Sequence, residues 1–306
     1  MSTEGSARAI AAALAANIGI ATTKFIAAAF SGSASMLAEG IHSVADSGNQ
    51  VLLIIGGKRS RREASKSHPF GYGRSRYIYA FMVSVVLFSV GGLFSIQEGL
   101  AKLGEPHELT NAWLPLLVLG VSIGLESFSL ATALKAAKED RGSASLASYI
   151  RRAKSPELPV VLLEDIAALT GLVLAFAGVG LTVVTHNPIW DALGTLAIGG
   201  LLILVAVVLG IETSSLLVGE GAHADDQEKI ESAIESTKNV ESLIHIKTLY
   251  LGPEELMVAA KIAIAPSVSA TEIAKAIDEA ELAVRAAVPF ARVIYLEPDV
   301  RRDSKN

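Results

Sequence analysis

The chain has 306 residues, of which 51% are hydrophobic and 19% charged, with a net charge of −5 and no cysteine. So few charges cannot cover a soluble protein of this length, and the charges are concentrated toward the last ninety residues. The missing cysteines exclude disulfides and thiolate metal sites, and the acidic balance without an extended basic run argues against nucleic-acid binding.

In chain order, six segments approach the roughly 20 apolar residues that cross a bilayer: 7–30, 33–57, 77–103, 112–136, 158–184 and 188–216. The first is too long for the core of a cleavable signal and carries Asn17 and Lys24, so it reads as a span. Ser31-Gly32-Ser33 joins spans one and two, Gly104–Asn111 joins three and four, and His186-Asn187-Pro188 joins five and six. The other two connectors are longer and basic. One carries Lys58, Arg59, Arg61, Arg62, Lys66, Arg74 and Arg76; the other carries Lys135, Lys138, Arg141, Arg151, Arg152 and Lys154. Basic loops stay in the cytoplasm, so both termini are expected there. The lack of cysteine and of a targeting segment favours a prokaryotic cytoplasmic (inner) membrane.

The expected fold is thus a six-helix transmembrane domain, residues 1–216, followed by a small cytoplasmic α/β domain, residues 217–306. In the second domain Asp225–Lys238 reads as a helix. Leu243–Leu251 reads as a strand with Ile244, Ile246, Thr248 and Tyr250 on one face. A turn at Gly252-Pro253, a strand over Leu256–Ala265, a helix over Ala270–Ala287 and a strand over Arg292–Leu296 complete an α-β-β-α-β order. About 80 residues bury a modest core, so this domain is expected to dimerise.

Ionisable groups inside a span are costly and mark a site by default. Glu39, His42, Asp46 and Asn49 recur at spacings of three and four, which puts them on one helical face. An imidazole and a carboxylate one turn apart can grip one ion, and zinc takes such N and O ligands. Span five adds Glu164 and Asp165, which diverge by about 100° and share a site only if it lies between their directions. Three carboxylates and an imidazole in a dry place require a cation or protons, so metal–proton exchange is expected. Asp46, His42 and Asp165 read as ligands. Glu164 reads either as a ligand or as a structural acid, and Glu39 and Asn49 either ligate or orient the ligands. Lys24 reads as an interhelical partner for an acid, or as a balancing charge when the site is empty. Glu126 is intramembrane too, while Glu98, Lys102 and Glu212 read as side chains that snorkel or pair near helix ends.

The stretch Ser33-Ala-Ser-Met-Leu-Ala-Glu-Gly-Ile-His-Ser-Val-Ala-Asp46, followed by His68-Pro-Phe-Gly-Tyr-Gly-Arg74, resembles the cation diffusion facilitator family. The resemblance runs over the whole chain to the pair Glu297-Pro298. It implies a homodimeric exporter of zinc, or another divalent metal, from the cytoplasm in exchange for protons. It makes His42 and Asp46 half of the transport site. Many zinc-carrying members have a second His-x-x-x-Asp in span five, but here Val161 precedes Asp165 by four. Leu162-Leu-Glu-Asp165 is instead similar to a subgroup that includes the mitochondrial zinc transporter of animals, with Glu164 a substitute ligand. An oxygen-rich set tolerates manganese, iron(II) or cobalt better than two imidazoles would. The resemblance also implies that Arg74 forms a structural salt bridge. In the cytoplasmic domain His223 and His245 are too few for a metal cluster, and mid-strand His245 reads as a packed residue. His68, beside Pro69, reads as shaping its turn. No resident cofactor is expected, and lipid, the transported ion and a second copy of the chain are the expected partners. A non-transporting metal sensor remains the competing class; a membrane metalloprotease would need a His-Glu-x-x-His motif that the sequence lacks.

Overall fold

The computed structural model describes residues 3–105 and 109–300. Residues 106–108 of the expected Gly104–Asn111 connector, and 301–306 of the expected second domain, lie outside the described residues. The chain forms two compact units. One runs up to Gly56 and then over Ile78–Thr213; the other joins Gly57–Tyr77 to the chain from Ser214 on.

The first unit is built from long helices: α1 (Thr3–Ser31), α2 (Ala34–Ser60), α5 (Trp113–Arg141), α7 (Glu157–Thr185), α8 (Ile189–Val218), and a rod made of α3 (Ser75–Val86), a π-helical segment (Leu87–Leu93) and α4 (Phe94–Gly104). Four of them, over Ser75–Gly104, Trp113–Lys138, Glu157–Thr185 and Ile189–Val218, are long and apolar enough to cross a membrane. At 1.5 Å per residue α1 and α2 have the length as well, about 40 Å each, but α2 buries Ser35, Glu39, His42, Ser43, Ser47 and Asn49. Polarity, not length, sets α2 apart. Outward-facing Phe128, Val121 and Leu204 are exposed, as lipid-facing side chains are.

The basic connector after α5 contains a helix that the sequence reading treats as loop, α6 (Leu146–Arg152). The Ser145 hydroxyl caps it by accepting from the Ser148 N–H. Leu146 and Tyr149 pack on a small cluster of Ala133, Ala137 and Leu162.

Two features fix the bundle. The α3–π–α4 rod lies against α8 with glycine at the contacts. A Cβ on Gly92 would stand 2.6 Å from the Ile203 side chain, and one on Gly99 2.7 Å from Leu196. Without a hydrophobic drive between helices in lipid, such close approach supplies the packing energy. The second feature is Asp191, fully buried in the first turn of α8. Its carboxylate accepts from the Ser33 hydroxyl (2.8 Å) and from the N–H groups of Ala34 (2.7 Å) and Ser35 (3.3 Å). A carboxylate at a helix N-terminus meets both the free N–H groups and the positive end of the dipole, so Asp191 sets where α2 begins.

The second unit contains α9 (Ala224–Glu235), β1 (Val240–Gly252), β2 (Glu255–Ile264), α10 (Ala270–Ala287) and β3 (Ala291–Asp299). The sheet order is β1-β2-β3, with β1–β2 antiparallel and β2–β3 parallel. Ile230 and Ile234 of α9 and Val284 of α10 close a core over Leu256, Val258 and Ile262. The α-β-β-α-β order is as expected; the face of β1 is not. The register shifts between Leu243 and His245, a bulge that leaves Ile244 exposed and puts Leu243 with Ile246 against the core. The same shift leaves His245 exposed rather than packed.

The segment 57–77 lies in this second unit. The Ser65 and His68 backbones bond reciprocally, at 3.1 and 3.0 Å. The His68 ring sits 4.4 Å from that of Tyr72, so His68 shapes the turn as expected. Gly71 has φ +76°, open to glycine, and a Cβ on Gly73 would stand 2.6 Å from the Leu251 carbonyl oxygen. The salt bridge expected of Arg74 is absent among the described residues; its Nε is buried without a hydrogen-bond partner, and its guanidinium lies beside Gly219.

Candidate metal-binding cavity

α1, α2, α5 and α7 enclose a cavity of about 90 Å³ whose wall includes His42, Asp46, Glu126, Val161, Glu164 and Asp165. The two halves expected of a site thus face one space. His42 Nε2 is 3.5 Å from Asp46 Oδ2. Two ligands about 2.1 Å from one zinc ion, at a tetrahedral angle, lie about 3.4 Å apart, so this pair is spaced to pinch an ion.

Glu164 and Asp165 do diverge. Glu164 Oε1 accepts from the Asn49 amide of α2 at 2.6 Å, and Asp165 Oδ2 accepts from the Ser129 hydroxyl of α5 at 3.2 Å. Each acid is steered by a different neighbouring helix, yet both line the cavity. Asn49 therefore orients an acid rather than facing the open space alone. Val161, where a second histidine would stand, contributes an apolar stretch of wall.

The polar atoms left over are informative. Both ring nitrogens of His42, Asp46 Oδ1, Glu39 Oε1 and Asn49 Oδ1 are buried and meet no hydrogen-bond partner among the described residues. Buried polar groups are nearly always satisfied, and leaving one unmet costs about 1–3 kcal/mol. Of these residues, His42 and Asp46 line the cavity, where their unmet atoms are open to a cation. Among the described residues, however, no three of His, Asp or Glu stand close enough together to form a complete metal shell. His42 and Asp46 are paired; Glu164 and Asp165 stand across the same space, held by Asn49 and Ser129.

Three elements escaped the sequence reading. Ser129 gave no signal beyond its place near Glu126. Asp191 carries no local signal beyond being an acid in the first turn of a long apolar helix. The sequence names no partner for Lys24; in the structure Lys24 Nζ lies 3.0 Å from Glu39 Oε2. Lys102 Nζ likewise donates to the Gly32 carbonyl at 2.6 Å. In the second unit Glu297, beside Pro298, is bound to Lys261 at 3.1 Å.

An apolar helical bundle around an inner carboxylate–imidazole cavity, joined to a small α/β unit, defines an integral membrane protein. Residues 10–218 match the model of the cation efflux transmembrane domain, and 222–299 that of the cation efflux protein cytoplasmic domain. The chain belongs to the cation efflux family. It is 31% identical over 231 residues to the mitochondrial proton-coupled zinc antiporter SLC30A9 of Homo sapiens, covering 75% of this chain and 41% of that protein. It is 32% identical over 259 residues to metal tolerance protein C4 of Arabidopsis thaliana, covering 84% and 57%. The chain spans about two fifths to three fifths of the length of these relatives. A solved structure of the MamM C-terminal domain in a nickel form matches at 18% identity over 26% of this chain and 100% of that one, with a TM-score of 0.25.

Proposed function

We propose that this chain is a transporter, not an enzyme, that exports a divalent metal ion, zinc foremost, from the cytoplasm in exchange for protons. The observation that carries this reading is the single cavity walled by His42, Asp46, Glu164 and Asp165. His42 and Asp46 supply a nitrogen and an oxygen at zinc spacing; Asp165 and Glu164 supply oxygens from the facing helix. Glu39 and Asn49 support these ligands, Asn49 through Glu164. Imidazole and carboxylate bind metal only when deprotonated, so metal and protons compete for the same atoms and exchange across the membrane. Rocking of the helices around the cavity exposes it to each side in turn. Relatives named as proton-coupled zinc antiporters support the cargo and the coupling.

In this reading α1 and α2 join the four apolar rods as six spans, with both termini in the cytoplasm of a prokaryotic cytoplasmic membrane. The basic connectors after α2 and α5 support that orientation. Two copies assemble through the cytoplasmic unit. A second reading is favoured by Val161: an oxygen-rich site accepts manganese, iron(II) or cobalt in place of zinc.

Protein reconstituted in liposomes around a zinc-sensitive dye should move zinc down its gradient and move protons the other way. A membrane metal sensor would bind zinc and produce no flux. Calorimetric titration with zinc, manganese, iron(II), cobalt and cadmium ranks the cargoes; manganese binding as tightly as zinc would remove the zinc assignment.

A further inference from the structure

Lys24 has no part in that reading, yet it is a cation in the wall of a cavity for cations. Its side chain is buried on α1, and its ammonium donates to Glu39 Oε2 at 3.0 Å, to the Ser43 hydroxyl at 2.8 Å and to the Glu39 carbonyl at 3.5 Å. It lines the same cavity as His42 and Asp46. Glu39 is fully buried. Its second oxygen, Oε1, meets no hydrogen-bond partner among the described residues and lies against α7, where a Cβ on Gly171 would come within 2.7 Å. The pair therefore sits where α1, α2 and α7 meet, next to the imidazole and carboxylate of the site.

A buried ion pair is weak evidence for stability, because apolar side chains of the same volume often serve as well. Its electrostatic effect on a neighbouring cation is not weak. A fixed ammonium repels a divalent ion through a medium of low dielectric, and the adjoining carboxylate offsets that repulsion. We propose that Lys24 and Glu39 form a charge pair that sets the affinity of the cavity for its divalent cargo. The tethered ammonium keeps affinity low enough for release, while Glu39 and Ser43 hold it away from His42 and Asp46. This inference rests on the transport reading for its consequence, though not for its binding arm.

Opposite signs are the signature. Lys24→Met leaves the Glu39 carboxylate uncompensated, so zinc binds about tenfold more tightly and KM falls, with turnover reduced because release becomes slow. Glu39→Gln leaves the ammonium unmatched, so KM rises by about the same factor. The double variant Lys24→Met/Glu39→Gln adds no net charge and returns KM to within about threefold of the parent. A purely structural tie would move both single variants in the same direction, through loss of folded protein, with KM unmoved.

Initial zinc uptake by proteoliposomes, per mole of folded protein and across zinc concentrations, reads the KM split; calorimetric zinc titration of the same variants reads affinity without flux. A parent protein that moves no zinc would end the transport reading, and the order of zinc affinities among the variants would still decide for or against the charge pair. Shifts of the same sign in the two single variants, or no shift in either, would overturn the proposal. Where a single variant cannot be purified folded, Ser43→Ala serves: it changes no charge, frees the ammonium and should weaken zinc binding about twofold, and unchanged binding overturns the proposal as well.

Discussion

In the membrane unit His42 keeps both ring nitrogens buried without a hydrogen-bond partner among the described residues, whereas in the cytoplasmic unit Lys261 lies between Glu297 and Asp299, at 3.1 and 3.0 Å. The contrast extends further. Glu39 Oε1 and Asp46 Oδ1 are unmet in the first unit, while in the second Ser269 and Glu272 cap α10 with a reciprocal capping box. Burial pushes the Tyr250 hydroxyl up to about 12, so it stays protonated in its core. Among these residues the cytoplasmic unit pairs its polar groups with one another, while in the membrane unit His42 and Asp46 carry unmet atoms in the wall of a cavity. The proposed function accordingly gives cation chemistry to the membrane unit and assembly to the α/β unit.

The contrast can be broken at several points. The largest effect is expected at the cavity: Asp46→Ala and Asp165→Ala should each abolish zinc flux in proteoliposomes, and unchanged flux in both would remove the cavity from the mechanism. Asn49→Ala, which releases Glu164, should weaken zinc binding by about 10- to 100-fold, the usual scale for a group that orients a ligand; calorimetry reads it. Gly99→Leu should lower stability by about 2 kcal/mol through overpacking against Leu196, seen as an earlier thermal melt in detergent with zinc affinity kept. Ser269→Ala should destabilise α10 by about 1 kcal/mol, seen as faster hydrogen exchange of that helix in the full chain with flux unchanged. The capping hydrogen bonds hold the Glu272 carboxyl below its ordinary value. Their contribution is therefore present above the ordinary carboxylate value and fades as pH falls through the lowered one. The smallest effect belongs to exposed His245: His245→Ala should leave both zinc flux and thermal stability unchanged, and a loss of flux would bring cation chemistry back into the cytoplasmic unit.

Much of this was legible from residue order. α10 begins and ends where the sequence placed it, at Ala270 and Ala287, because Ser269 and Glu272 mark its start and its apolar positions recur at helical spacing. The shared face of Glu39, His42, Asp46 and Asn49 was equally plain, since helical spacing alone decides it. β1 was misread at Ile244 because a bulge changes which residues face inward, and strict alternation carries no sign of an extra residue. α6 was missed because seven residues in a basic connector leave too short a pattern.

The sequence by itself determined the apolar rods, the α-β-β-α-β unit and the set of ionisable residues that lipid would not tolerate without a purpose. These follow from local periodicity and from the cost of charge away from water, both readable along one chain. Only the tertiary structure decided which groups meet: Glu164 with Asn49, Asp165 with Ser129, Lys24 with Glu39, and Asp191 with the first turn of α2. Those contacts join residues 15 to 157 positions apart, and no spacing rule reaches across helices whose mutual rotation is set by packing.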